Sequence, residues 1–172
     1  MNVAILGAGK IGKYHVREFS RLGANISAIL GSSKESSAKK AEELEREFGV
    51  KVRSYHVLEE LLTNEKLDAV SICTPPEMHE NQVRICLENN LHVLCEKPFV
   101  QTKNNYDTAE SLFALAKRKG RVLTINTQWA SIVEYFQRLE LLENLNEIYI
   151  SMEPSAKGVD MLKDHLPHMN SV

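Results

Sequence analysis

Val3-Ala4-Ile5-Leu6-Gly7-Ala8-Gly9-Lys10-Ile11-Gly12 is the stretch on which the fold turns. Consecutive apolar residues at 3–6 have the length and character of a strand buried on both faces. A glycine-rich turn follows at once and runs into a helical pattern, so strand, turn and helix are joined without an intervening loop. Gly7 permits a sharp change of direction. Gly9 removes the Cβ that would hold a phosphate away from the backbone, and Gly12 lets the helix lie close to the strand. The unpaired N–H groups at the start of such a helix attract anions.

Outward from this stretch, short apolar runs alternate with amphipathic helical ones, the pattern of parallel strands joined by crossover helices. The first helix sets Ile11, Phe19 and Leu22 on one face and stops at Gly23. Residues 26–30 form a second strand. A helix over 35–48 turns Ala41, Leu44 and Phe48 inward and ends at Gly49, and residues 50–55 supply a third strand. The plan then repeats with strand 69–73, a helix carrying Val83, Cys86 and Leu87 inward, and strand 92–95. A helix carrying Ala109, Leu112, Phe113 and Ala116 inward and strand 122–125 complete it. The fold class that follows is α/β, a Rossmann doubly wound parallel sheet over residues 1–125 that binds a dinucleotide.

Residues 126–172 have a different character: a helix with Ile132, Phe136 and Leu139, one alternating strand over 147–152, and a polar loop. They predict the start of an incomplete second α/β domain, truncated or rudimentary, for substrate binding and oligomerisation. A lone strand leaves backbone groups unpaired. Residues 147–152 are therefore expected to join another chain, a further C-terminal segment or the edge of the first sheet, and a homo-oligomer through them is the expectation.

A net charge of −2, from 21 basic and 23 acidic residues of interspersed sign, provides no field that would gather nucleic acid or anionic lipid. Neither partner is expected. The apolar start lacks a basic leader and is too short for a signal peptide or a membrane span, so a cytoplasmic location is expected. Cys73, Cys86 and Cys95 form no CxxC pair, and each sits in an apolar run as a reduced packing residue. No Cys/His cluster has ligand spacing, and no metal is expected.

NAD-specific sites place an acidic residue near the end of the second strand for the ribose hydroxyls. Here Gly31-Ser32-Ser33-Lys34 stands instead. Ser32, Ser33 and Lys34 offer hydroxyls, a cation and a helix N-terminus, all suited to a 2′-phosphate, so NADP is preferred over NAD. The serines serve equally as caps of the second helix.

Ligands of such sheets collect beyond the carboxyl ends of the strands. Thr74-Pro75-Pro76-Glu77-Met78-His79 follows the fourth strand, and Glu96-Lys97-Pro98 follows the fifth. With residues 3–12, 69–79 and 92–98 taken together, the chain resembles the glucose-fructose oxidoreductase, inositol dehydrogenase and MocA-type family of NAD(P)-dependent oxidoreductases. The resemblance implies that Lys97 reaches the oxygen of the reacting carbon beside the nicotinamide and that the Lys97–Pro98 bond is cis. It also implies that Thr74, Pro75, His79 and Glu96 flank the cofactor. An Asp and a His four residues later, from the start of the second domain, lie next to the lysine in this family, and Asp164 and His168 have that spacing. Asp160 with His165 is a rival pair. The family's Asn-x-Arg pattern after the sixth strand is absent, since the chain reads Asn126-Thr127-Gln128-Trp129, and Leu166 stands where a glycine is common.

The chemistry suits these residue types. Oxidising a secondary alcohol needs a hydride acceptor and a base for the hydroxyl proton, for which His168 is the candidate. Lys97 would stabilise the developing alkoxide, while Asp164 orients the imidazole or binds substrate. The expected activity is hydride transfer between NAD(P) and a secondary alcohol or carbonyl of a sugar, cyclitol or similar polyol. A non-catalytic dinucleotide-binding or sensing module is an alternative. An S-adenosylmethionine-dependent methyltransferase is a third, although that cofactor's ribose usually meets an acidic residue at the second strand. His15 falls on the apolar face with Ile11 and Phe19 and reads as a satisfied core histidine. His79 either belongs to the motif or packs with Val83 one turn on.

Overall fold

The apolar runs become β1 (Asn2–Leu6), β2 (Asn25–Leu30), β3 (Arg53–Tyr55), β4 (Ala69–Ile72), β5 (His92–Cys95) and β6 (Leu123–Ile125). The computed structural model describes residues 1–101 and 103–127. Within the unit Met1–Ile125 the strands form one sheet in the order β3-β2-β1-β4-β5-β6, and every neighbouring pair is parallel. The chain winds outward from β1 to one edge and then crosses to β4 to wind toward the other. That reversal leaves a crevice at the carboxyl ends of β1 and β4.

Among the described residues, five α-helices cover the sheet: α1 (Lys10–Arg21), α2 (Lys34–Phe48), α3 (Leu58–Asn64), α4 (His79–Glu88) and α5 (Asn105–Lys119). The two-residue period of β1 divides its side chains between them. Val3 and Ile5 join Val16 of α1 and Leu44 of α2. Ala4 and Leu6 share the opposite core with Leu61 of α3, Val83, Cys86 and Leu87 of α4, and Leu112 and Ala116 of α5. Residues 3–6 have no exposed surface, and each isoleucine or leucine so buried contributes about 1.5–3 kcal/mol. Beside β1, the register of β2 steps from Ile26 opposite Val3 to Ala28 opposite Ala4. Ser27 is the inserted residue, which is why Ile26 and Ile29, three apart, enter the same core.

Several elements differ from the sequence expectation. Ile11 and Leu22 are 45% and 84% exposed, because α1 approaches the sheet most closely at Gly12 and its contact face runs through Gly12 and Val16 to Phe19. Gly23, at φ +80°, does end this helix. Its N–H donates to Ser20 and that of Ala24 to Phe19, which satisfies the last carbonyls. The third strand covers only Arg53–Tyr55, since just those residues find register with β2, and Val50 and Val52 pack under it as loop. α3 was not foreseen. Its seven residues make too short a periodic run to stand out, and it is anchored by buried Glu65, which accepts from Arg53 and from the Tyr55 hydroxyl. In α5, Leu115 takes the inward place expected of Phe113, whose ring lies instead against Phe99. Among the described residues, no helix is long and apolar enough to cross a membrane.

Candidate functional site

Pairing in the sheet continues one residue past several strand ends, and this fixes where the loops depart. Gly31 donates to Tyr55, Gly7 to Leu30, Cys73 to Leu6 and Glu96 to Ile72, at 2.7–2.9 Å. The loops after β2, β1, β4 and β5 therefore leave the carboxyl edge side by side, from a rigid base. A cavity of about 970 Å³ opens along this edge, lined by Gly7, Ala8, Gly9, Ser32, Thr74 and Pro75 among others.

The glycines of the first loop are present for different reasons. Gly7 has φ +94°, and a Cβ there would lie 2.6 Å from the backbone of Cys73. A Cβ on Gly12 would lie 2.0 Å from the Gly7 carbonyl oxygen. Gly9 meets neither demand. Its backbone is extended, at φ −70° and ψ −162°, and among the described residues no atom beyond Gly9 and its chain neighbours lies within 4 Å of the place its Cβ would take. Neither conformation nor packing asks for glycine there, whereas a ligand passing close to the backbone would. The first bond into α1 runs from Lys13 N–H to the Gly9 carbonyl, so the amides of Lys10, Ile11 and Gly12 precede the helical ladder, and no side chain caps them. These residues fit a diphosphate. Lys10 and Ile11 are exposed.

At the far end of the cavity, Gly31 occupies the position just after β2. A Cβ there would lie 2.7 Å from the Ser37 hydroxyl and 3.1 Å from its Cα, so the approach of α2 leaves no room for an acidic side chain at that point. Ser32 lines the cavity, as do Lys40 and His56, which the sequence did not single out. Ser33 is the N-cap of α2, its hydroxyl accepting from Ser36 N–H. The capping role is thus real, and Lys34 begins the helix as an exposed residue.

The loops after β4 and β5 are tied to each other. His79 is fully buried, with Nε2 2.8 Å from the Thr74 carbonyl and Nδ1 2.9 Å from the Pro98 carbonyl. Thr74 donates its hydroxyl to Gln82 at 2.6 Å. The Lys97–Pro98 bond is cis, as the family resemblance implies. Glu96 Oε2 accepts from the Lys97 amide at 3.2 Å, and Lys97 is half-buried, beyond the residues that line the cavity. His15 is satisfied, as expected of a core histidine, by Ser71 and Glu96. That its partner belongs to the loop carrying Lys97 was not foreseen, although its place one turn after Gly12, where α1 is closest to the sheet, was a usable signal. Asp164, His168, Asp160, His165 and the strand over 147–152 lie outside the described residues.

The cysteines are free thiols. Burial pushes Cys73 and Cys86 up to about 12 and Cys95 higher still, so all three stay protonated and poorly nucleophilic at neutral pH. Native protein should accordingly react with iodoacetamide far more slowly than free cysteine, with all three thiols alkylated once urea unfolds it. Mass spectrometry counts the adducts, and rapid labelling of folded protein would contradict the burial.

Comparison with known proteins agrees with this architecture. D-glucoside 3-dehydrogenase of Escherichia coli is 28% identical over 155 residues, covering 88% of this chain and 42% of that protein. The NADP(+)-dependent scyllo-inositol 2-dehydrogenase of Bacillus subtilis is 35% identical over 80 residues, covering 45% and 24%. Among solved structures, UDP-N-acetylglucosamine 3-dehydrogenase from Acidithiobacillus ferrooxidans superposes with a TM-score of 0.67 at 24% identity, over 81% of this chain and 43% of that one. That last likeness is one of fold. The matched stretch spans less than half the length of each. A sequence model of the GFO/IDH/MocA oxidoreductase family, described by its NAD-binding Rossmann fold, matches residues 1–127, and with the strand order and the glycine turn this places the chain in that family.

Proposed function

We propose that this chain is the coenzyme-binding part of an NAD(P)-dependent oxidoreductase that acts on a secondary alcohol or carbonyl of a sugar, cyclitol or similar polyol. The observation that carries this reading is Gly9, a glycine required by neither backbone nor packing, facing an open cavity beside uncapped helix amides. The substrate class follows three relatives named UDP-N-acetylglucosamine 3-dehydrogenase, D-glucoside 3-dehydrogenase and scyllo-inositol 2-dehydrogenase. When bound, the coenzyme supplies the hydride acceptor or donor.

The chain's own residues do the rest. Gly7, Ala8, Gly9, Lys10, Ile11 and Gly12 hold the diphosphate. Ser32, Ser33 and Lys34 take the adenosine ribose, and the exclusion of an acid at Gly31, with Lys40 and His56 facing the same cavity, supports NADP over NAD. Thr74, Pro75, His79, Glu96 and Lys97 flank the nicotinamide side. The Lys97 ammonium offsets negative charge on the substrate oxygen, His168 takes the hydroxyl proton, and Asp164 orients it. Residues 126–172 begin the substrate domain, the strand at 147–152 joins a second copy, and the protein acts in the cytoplasm without nucleic-acid or membrane partners.

Incubation with NADP and a panel of glucosides and inositols should generate the absorbance of reduced nicotinamide. His168→Gln should lower kcat by about 10²–10⁴-fold, the usual worth of a general base, with Asp164→Asn lowering it less. Turnover unchanged in both variants would remove that pair from the mechanism, and coenzyme binding without turnover of any alcohol would favour a sensing module.

A further inference from the structure

In the part-buried chain Ser71–His15–Glu96, the coenzyme reading uses Glu96 but leaves His15 and Ser71 without a role. His15 Nδ1 lies 2.7 Å from the Ser71 hydroxyl, and Nε2 lies 3.0 Å from Glu96 Oε1. The side chains of His15 and Glu96 are only 11% and 12% exposed. Direction in this chain is set by chemistry. An ionised carboxylate only accepts, so Nε2 carries a proton and donates it to Glu96. In the neutral ring, Nδ1 then accepts from the Ser71 hydroxyl, and Glu96 Oε2 accepts from the Lys97 amide.

These contacts bind together α1, the middle of β4 and the turn after β5. Attachment of α1 to the sheet does not depend on them, since Gly12 and Val16 already supply close apolar packing. What they add is at the other end: a carboxylate held from one side by an imidazole and closing on the amide of residue 97. We propose that His15 is a positioning residue that, through Glu96, fixes the backbone of Lys97 and hence the place of its ammonium group. The proposal rests on the catalytic reading of Lys97 for its consequence, though not for its geometry. Misplacing a reacting group by about 1 Å can cost about 10²-fold in rate.

The test compares His15→Leu, His15→Gln and Lys97→Ala in the full chain, by NMR of the Lys97 amide proton, by fluorescence titration with NADPH, and by kcat and KM. Leucine removes the donor to Glu96, whereas the glutamine amide nitrogen can occupy the place of Nε2. In His15→Leu the Lys97 amide resonance should move upfield, with kcat falling about 10²-fold and NADPH affinity changing by less than about threefold, under 1 kcal/mol. His15→Gln should restore the resonance and most of kcat. A Lys97 resonance unmoved in folded His15→Leu, or equal losses in the leucine and glutamine variants, would overturn the proposal. Should the leucine variant not fold, long-range 1H–15N spectra of the unaltered chain decide: a ring carrying its Nε2 proton is expected, and one lacking it is contrary. If Lys97→Ala keeps full activity, the catalytic reading of Lys97 falls instead, and the amide resonance still judges His15.

Discussion

Lys97→Ala should lower kcat on a secondary alcohol by about 10²–10³-fold, the cost of removing one preorganised donor from a developing oxyanion, while NADPH affinity changes little. The expected separation of the two effects follows from the layout of the edge. Of the groups proposed to hold the coenzyme, Gly7, Ala8 and Gly9 before α1 and Ser32 after β2 line the cavity, whereas Lys97 lies beyond the lining in the turn after β5. A cation there acts on charge that grows in the transition state, so its loss appears in kcat more than in binding. Lys97→Arg is the informative control. It keeps the charge but changes the shape of the donor, and an intermediate rate would show that position matters as well as charge. Steady-state kinetics with titration of reduced coenzyme measures both quantities. A variant as fast as the parent would remove Lys97 from the reaction.

The second large effect concerns two glycines in one turn, which should respond in opposite ways. Gly9→Asp should leave the fold at least as stable, because aspartate is a better N-cap than glycine by a few tenths of a kcal/mol and favours the positive end of α1. The backbone there is extended and the space in front of it is open. The same carboxylate would occupy the place of the diphosphate and repel it, so coenzyme affinity should fall by at least about 10²-fold, close to 3 kcal/mol. Gly12→Ala should fail by another route. Its Cβ would stand 2.0 Å from a backbone oxygen of Gly7, forcing α1 off the sheet at a cost of about 3 kcal/mol or more. Chemical denaturation and coenzyme titration of both variants check this. Loss of binding in Gly12→Ala with stability intact, or loss of stability in Gly9→Asp, would contradict the division of roles.

Much of the architecture was legible because it rests on local rules. The unbroken apolar residues 3–6 required cover on both faces, the glycine turn placed a helix start against the strand, and Gly23 and Gly49 marked helix ends, both at positive φ. Cys86 and Leu87 were readable as core from spacing alone and are fully buried. Spacing failed where tertiary contact set the geometry. Ile11 was assigned inward by periodicity, yet the close approach at Gly12 rotates it into solvent. α3 was too short to announce itself, and with it went His56 as a residue of the cavity.

The sequence by itself determined the order and type of most elements, the glycine turn and the polar loops at the carboxyl edge, because each depends on residues near one another along the chain. Only the tertiary structure decided that Gly31 leaves no room for an acid, that His79 joins the loops at Thr74 and Pro98, and that His15 reaches Glu96. Those facts depend on how closely α2, α4 and α1 approach the sheet, and an approach distance is set by the packing of side chains brought together from far apart in sequence, which no local pattern encodes.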